Sequence, residues 1–217
     1  MSTPRVLLTA FEPFGGEALN PSLEIALRLE HRLIGDHLIE AQILPVAFAH
    51  TREPLQRRLL GEDFALVIGL GQAGGRSSIS LERIAINLID ARIADNAGAQ
   101  PIEQPVVAEG PAAYFTTLPV KSMLRALVDA GIPAQISFSA GSYVCNQVFY
   151  LLMHVLDQQR SSARAGLIHV PYLPAQAAVH PGAASMALDT MVAAIELAIA
   201  CALETGADLR VAGGETH

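Results

Sequence analysis

The run FALVIGLG, residues 64–71, is apolar at almost every position. A strand with one wet face alternates polar and apolar side chains, so an unbroken apolar run fits a strand covered on both faces, as in parallel sheets. Such a sheet needs helices on either side, and the chain supplies them. RVLLTAF (5–11), LIEAQILPVAF (38–48), AQISFSA (134–140) and AGLIHVPYLP (165–174) read as further strands. Between and after them, PSLEIALRLEHRL (21–33), HTREPLQRRLL (50–60), KSMLRALVDAG (121–131), SYVCNQVFYLLMHVLDQ (142–158) and SMALDTMVAAIELAIACALE (185–204) read as helices. The first has a start signal, Asn20 as N-cap with Pro21 in the first helical position. The alternation predicts a single-domain three-layer α/β/α sandwich on a mostly parallel, mixed, twisted sheet. One domain is expected over 1–217, with 205–217 as a flexible tail. The stretch 72–119, glycine-rich at first and proline-studded later, interrupts the alternation as a long excursion with short strands, and such segments are often functional.

Several functions are excluded early. The net charge is −7 and Lys and Arg nowhere cluster, so the electrostatic attraction on which nucleic-acid binding depends is missing. The longest apolar run, MVAAIELAIACAL (191–203), contains Glu196 and is shorter than the roughly 20 residues that span a bilayer. The amino terminus has no signal-peptide pattern, so no membrane partner and a cytoplasmic location are expected. No paired Cys or His spacing points to zinc, and neither a P-loop nor a G-x-S-x-G elbow is present, so neither metal nor cofactor is expected. GLGQAGG does hold G-x-G-x-x-G at Gly69, Gly71 and Gly74, but RSSISLERIAIN after it looks extended, whereas a dinucleotide fingerprint opens a helix.

Of the two cysteines, Cys145 and Cys201, Cys145 is the candidate nucleophile. In SAGSYVCNQVFY (139–150), Ser142 reads as a cap after Gly141, which sets Cys145 in the first helical turn, where unpaired N–H groups and the helix dipole favour an anion. The competing explanation is a core stripe of Cys145, Phe149, Leu152 and Leu156. His169, near the carboxyl end of an apolar strand, is the candidate base, because carboxyl ends of parallel strands and N-termini of following helices share a rim. His31, His37, His50, His154, His180 and His217 read as surface or helix-face residues. A carboxylate must orient the imidazole. Glu82, in the apolar ISLERIAIN, competes with Asp90 and Asp95, and spacing does not choose among them.

LLTAFEPFGGEALNPS, GLGQAGGRSSISLERIAINLIDARIADNAGAQP, GPAAYFTTLPVK, SAGSYVCNQVFYLLMH and GLIHVPYLP together resemble the pyroglutamyl peptidase I family of cysteine peptidases, in order, over about residues 4–200. The tail ETGADLRVAGGETH has no counterpart. The resemblance implies an exopeptidase that hydrolyses the amide after an amino-terminal pyroglutamyl residue of peptides, through a thioester on Cys145. It implies a catalytic triad of Glu82 (E-R-x-A-x-N), Cys145 (V-C-N) and His169 (H-x-P-x-L-P), and so selects Glu82 over Asp90. It implies substrate contacts from Phe11 and Phe14 on the ring, from the backbone of Gln72, and from Arg92 beside the scissile carbonyl. A homotetramer without metal or cofactor is the implied assembly.

Overall fold

The computed structural model describes residues 3–213. In chain order its elements are β1 (Arg5–Phe11), α1 (Pro21–Leu29), β2 (Leu33–Ile34), β3 (His37–Leu44), α2 (Phe48–Gly61), β4 (Leu66–Gln72), β5 (Ile79–Glu82), β6 (Ile84–Ile86), β7 (Ala113–Phe115), α3 (Val120–Asp129), β8 (Ala134–Ser137), α4 (Val144–Gln158), β9 (Arg164–Val170), α5 (Pro174–Ala177) and α6 (Leu188–Glu204). Seven strands form one sheet in the order β2-β3-β1-β4-β9-β5-β8, and β6 and β7 form a separate antiparallel pair. The four central strands run parallel. β2 opposes β3, and β5 and β8, parallel to each other, oppose β9.

The run that predicted a doubly covered strand is buried at all seven positions of β4. Its side chains alternate between faces: Leu66, Ile68 and Leu70 join one core with α1, α3 and α6, and Val67 joins a second with α2 and α4. Helices thus cover both faces of the mixed sheet. The Asn20 cap forms as expected, its side chain accepting from the Ser22 N–H at 3.0 Å with Pro21 next to it.

Three expectations need correction. α1 stops at Leu29, because His31 takes a positive φ of 63° and turns the chain into the short β2 hairpin with β3. α4 starts at Val144 behind Tyr143, not behind Ser142: the Ser142 hydroxyl donates instead to the Asp90 carbonyl at 2.7 Å. The shared-rim argument for Cys145 and His169 assumed a parallel strand before α4, yet β8 runs against β9, so residues 138–143 carry the chain back before α4 begins. At the carboxyl end, Asp208 accepts from the N–H groups of Lys121 (3.2 Å) and Ser122 (2.9 Å), capping α3, whose own Pro119 offers no capping side chain. Residues 214–217 of the expected tail lie outside the described residues.

Candidate active site

β1 remains paired with β4 only as far as Thr9↔Gly69, while its pairing with β3 continues to Phe11↔Leu44. The carboxyl ends of β1 and β4 therefore part. Chain order reverses here, β1 leading out to β3 on one side and β4 lying on the other, and such a switch point is where open α/β sheets bind ligands. The crevice is lined by Phe11, Phe14, Asn20, Val46, Gln72, Tyr143, Val144 and Cys145. None of these side chains is a carboxylate or a base.

Cys145, part-buried as the second residue of α4, reaches this crevice because β4 has no side chains in the way. Gly69 and Gly71 are two apart and so share the α4 face of the strand. A Cβ on Gly71 would lie 3.0 Å from Cys145 Sγ and 3.0 Å from His169 Nε2, and one on Gly74 would lie 2.3 Å from the Tyr172 ring. The glycine spacing that imitates a nucleotide fingerprint is explained by these approaches, and β5 rather than a helix follows it.

Strand parity brings His169 to the same face. Ile168 and Val170 point into the α1, α3 and α6 core, so His169 points toward α4, as do Ser80 and Glu82 from β5. Register pairs Ser80 with His169, and Glu82 Oε1 receives the His169 Nδ1–H at 2.8 Å. Cys145 Sγ and His169 Nε2 come together over Gly71, each 3.0 Å from the point where a Cβ there would stand. The other two carboxylates lie elsewhere: Asp90 is exposed, its backbone N–H donating to Ser142 O at 3.0 Å, and the Asp95 side chain accepts from the N–H groups of Phe48, Ala97 and Ala99. Of the three candidates, only Glu82 meets the histidine.

The electrostatics follow from the burial. Burial alone would lower the His169 pKa, but the hydrogen bonds and charges of Cys145 and Glu82 outweigh it and hold the imidazole at about 9, so it is an imidazolium at neutral pH. Burial pushes the Glu82 carboxyl up, yet the hydrogen bond and charge of His169, with the Arg76 cation behind, bring it below the ordinary value. Arg76 Nη1 lies 2.6 Å from Glu82 Oε1. Burial, with the Asp95 and Cys145 charges, pushes the Tyr143 phenol up to about 12 and keeps it neutral.

Phe11, Phe14 and Gln72 line the crevice, the Gln72 amide oxygen accepting from Gln176 Nε2 at 2.9 Å. Arg92 does not join them. It is exposed, and among the described residues it makes no ion pair and lines no part of this crevice. Sequence reasoning missed Arg76, Asn20, Val46 and Tyr143. Tyr143 carried a signal, an aromatic two residues before the thiol; it stands 6.2 Å from the Phe14 ring and donates to the Ala94 carbonyl. Asn146, next to the thiol, is fully buried and holds β6 through the Ile86 N–H and the Ile86 and Leu88 carbonyls.

A thiol, a buried imidazole and a carboxylate in line, beside an uncharged crevice at the switch point of an α/β/α sheet, define a cysteine peptidase. The sequence profile of the family described as pyroglutamyl peptidase matches residues 4–205. The chain belongs to that family. It is 54% identical over 213 residues to the pyrrolidone-carboxylate peptidase of Erwinia tasmaniensis, covering 98% of this chain and 99% of the relative. It is 49% identical to that of Yersinia pestis with the same coverage. Among solved structures it is similar to pyroglutamyl peptidase I from Bacillus amyloliquefaciens (39% identity, TM-score 0.93, 97% of this chain and 100% of that one). It is also similar to the pyrrolidone carboxyl peptidase of Thermococcus litoralis (39% identity, TM-score 0.92, 96% and 99%).

Proposed function

We propose that this protein hydrolyses the amide bond after an amino-terminal pyroglutamyl residue of peptides, with Cys145, His169 and Glu82 as its catalytic residues. The observation that carries the reading is a crevice lined by no carboxylate and no basic side chain, walled by Phe11 and Phe14, opening on Cys145. An ordinary peptide would bring an α-ammonium there with no carboxylate to pair with, an expensive burial; pyroglutamate has closed that nitrogen into a neutral lactam. The ring packs between the aromatics, and the Gln72 backbone, past the end of the β1 pairing, bonds its N–H and C=O.

Cys145 Sγ attacks the pyroglutamyl carbonyl and a thioester forms. His169, as imidazolium, gives its Nε2 proton to the departing amine, then accepts a proton from the water that opens the thioester. Glu82 holds Nδ1–H throughout. The first N–H groups of α4, free of intrahelical partners, face the developing oxyanion, and Arg92, from outside the crevice, adds a cation that favours the same charge. Many leaving residues are tolerated, proline excepted because its ring crowds the scissile nitrogen. The whole chain acts as one catalytic unit, in the cytoplasm, without metal or cofactor, as a homotetramer. Exposed apolar side chains such as Phe115 (62% exposed) and Ile102 (63%) support assembly. No helix among the described residues is long and apolar enough to cross a membrane.

The test is release of a fluorescent amine from pyroglutamyl, alanyl and prolyl amides by wild type and Cys145→Ser, with light scattering for the assembly. Turnover of the pyroglutamyl amide alone, lost in the variant, is expected. Turnover of the alanyl amide at a similar rate would overturn the assignment.

A further inference from the structure

Glu82 is completely buried, and its Oε1 carries two donors, His169 Nδ1 at 2.8 Å and Arg76 Nη1 at 2.6 Å. Its Oε2 is buried with no hydrogen-bond partner among the described residues, the Ser137 hydroxyl being turned to the Ser139 carbonyl at 3.2 Å. The second Arg76 nitrogen, Nη2, donates to that same Ser139 carbonyl at 3.0 Å, six residues ahead of the thiol. Arg76 itself closes the turn that leaves β4 after Gln72, its N–H bonding the Ala73 carbonyl at 3.2 Å. One side chain thus joins the turn behind the substrate crevice, the orienting carboxylate and the segment leading to the nucleophile.

We propose that Arg76 is a positioning residue of the reaction: its guanidinium keeps the Glu82 carboxylate ionised and aimed at His169 Nδ1 through the whole catalytic cycle. The inference rests on the triad assigned above and adds a requirement that the triad alone leaves unmet. Before attack the imidazolium is itself a cation beside Glu82. Once Nε2 has given its proton to the leaving amine, the imidazole is neutral and that charge is gone. A fully buried carboxylate facing only a neutral ring tends to take up a proton. Protonated Glu82 no longer requires Nδ1 to be the ring nitrogen that keeps its hydrogen, and Nε2 must stay free to accept the proton of the hydrolytic water. Arg76 is the cation that persists. It is suited to this because guanidinium stays charged at every working pH and its fork reaches two acceptors at once. The groups that face Glu82 are His169 from β9, Arg76 from the β4–β5 turn and the Ser137 hydroxyl from β8, with Cys145 of α4 behind the imidazole. The neighbouring Arg83 lies over the Phe115 ring, at 5.7 Å.

The experiment compares wild type, Arg76→Gln, Arg76→Lys and the control Arg125→Gln, which removes an exposed pair with Asp129. kcat/KM for a pyroglutamyl amide is measured across pH, with melting temperatures. In parallel, the rate of Cys145 alkylation by iodoacetamide is followed across pH without substrate. Arg76→Gln should lower kcat/KM at pH 7 on the order of tenfold or more, the scale of one charge-assisted hydrogen bond, chiefly in kcat. Without the cation Glu82 protonates more readily, so the acid limbs of turnover and of alkylation both move to higher pH. Arg76→Lys, which retains the charge, should return both limbs toward wild type, and Arg125→Gln should change nothing. An acid limb that stays in place in Arg76→Gln, or a loss uniform in pH that follows the melting temperature, overturns the proposal. Should the wild type not turn over the amide, the function assigned above fails, and the alkylation profiles alone decide the role of Arg76.

Discussion

Replacing Gly71 by alanine tests the geometry of the site more sharply than removing any of its functional groups. The added Cβ would stand 2.9 Å from His169 Cδ2, 3.0 Å from His169 Nε2 and 3.0 Å from Cys145 Sγ. Unstrained contacts between such atoms begin at about 3.5 Å, so each must give by roughly half an ångström. The imidazole has little room to retreat, since it is buried and bonded to a buried carboxylate, and the thiol is fixed by the first turn of α4. Displacements near 1 Å cost about a hundredfold in rate, and crowding of this kind costs about 1–3 kcal/mol of stability. Gly71→Ala should therefore lower kcat/KM for a pyroglutamyl amide by about thirtyfold or more while the protein stays folded, with a melting temperature a few degrees lower. Gly69→Ala is the internal comparison. Its nearest contacts are 3.3 Å to Leu167 and 3.4 Å to Leu152, both ends of flexible side chains, so activity should fall no more than about threefold. Steady-state kinetics with thermal unfolding decide the matter. Equal activity in the two variants would mean that the close approach at Gly71 does not set the distance between thiol and imidazole.

Three further outcomes follow from the same coordinates. His169 titrates at about 9 against an ordinary 6.5, so turnover that needs the imidazolium should hold below that value and fall as pH rises through it; Glu82→Gln removes one cause of the rise and should move the alkaline limb of kcat/KM to lower pH, an unmoved limb counting against the pairing. Asp208 caps α3 with a carboxyl held below its ordinary 3.8, burial being outweighed by hydrogen bonds from Ser122, Lys121 and Leu209. Its contribution is thus present above 3.8 and lost as pH falls through the lower folded value, and urea denaturation of Asp208→Ala should give a loss of about 1 kcal/mol at pH 7 that shrinks in acid. Cys201, part-buried with Sγ 3.6 Å from Thr205 Oγ1, lies in the α6 core away from the crevice; Cys201→Ser should keep turnover within about twofold, and a larger loss in the amide assay would give that thiol a role.

The layers were legible because β4 and the helices on both its faces are written in local hydrophobic pattern. The direction of β8 was not, because periodicity carries no sign: AQISFSA looks the same whichever way it joins the sheet, and its orientation comes from pairing with β5 rather than with β9. Cys145 and His169 stood out as polar groups at the ends of apolar elements, but the rim argument reached them by a route the chain does not take. Glu82 was visible as a carboxylate among apolar neighbours, but spacing did not choose it over Asp90 and Asp95, and the choice came from the family resemblance; its physical basis is the register Ser80↔His169, a contact across 89 positions of sequence. Arg76 was hidden by its neighbours: after AGG it looks like a turn residue, and only the fold of that turn points it at Glu82. The glycines were legible in hindsight of parity alone, since Gly69 and Gly71 two apart must share a strand face.

The position of β9 bears on when the protein becomes able to react. β9 lies between β4 and β5, both of which precede it by more than eighty residues in the chain. During synthesis the amino-terminal part emerges first, and until residue 170 has left the ribosome β4 and β5 have no common neighbour to hold them in one sheet. The strand that completes the sheet also delivers the imidazole. A nascent or truncated chain ending before β9 has its thiol but lacks the base, and its buried acid has no counterpart, so an unfinished molecule is an inactive one without any inhibitory segment to keep it so.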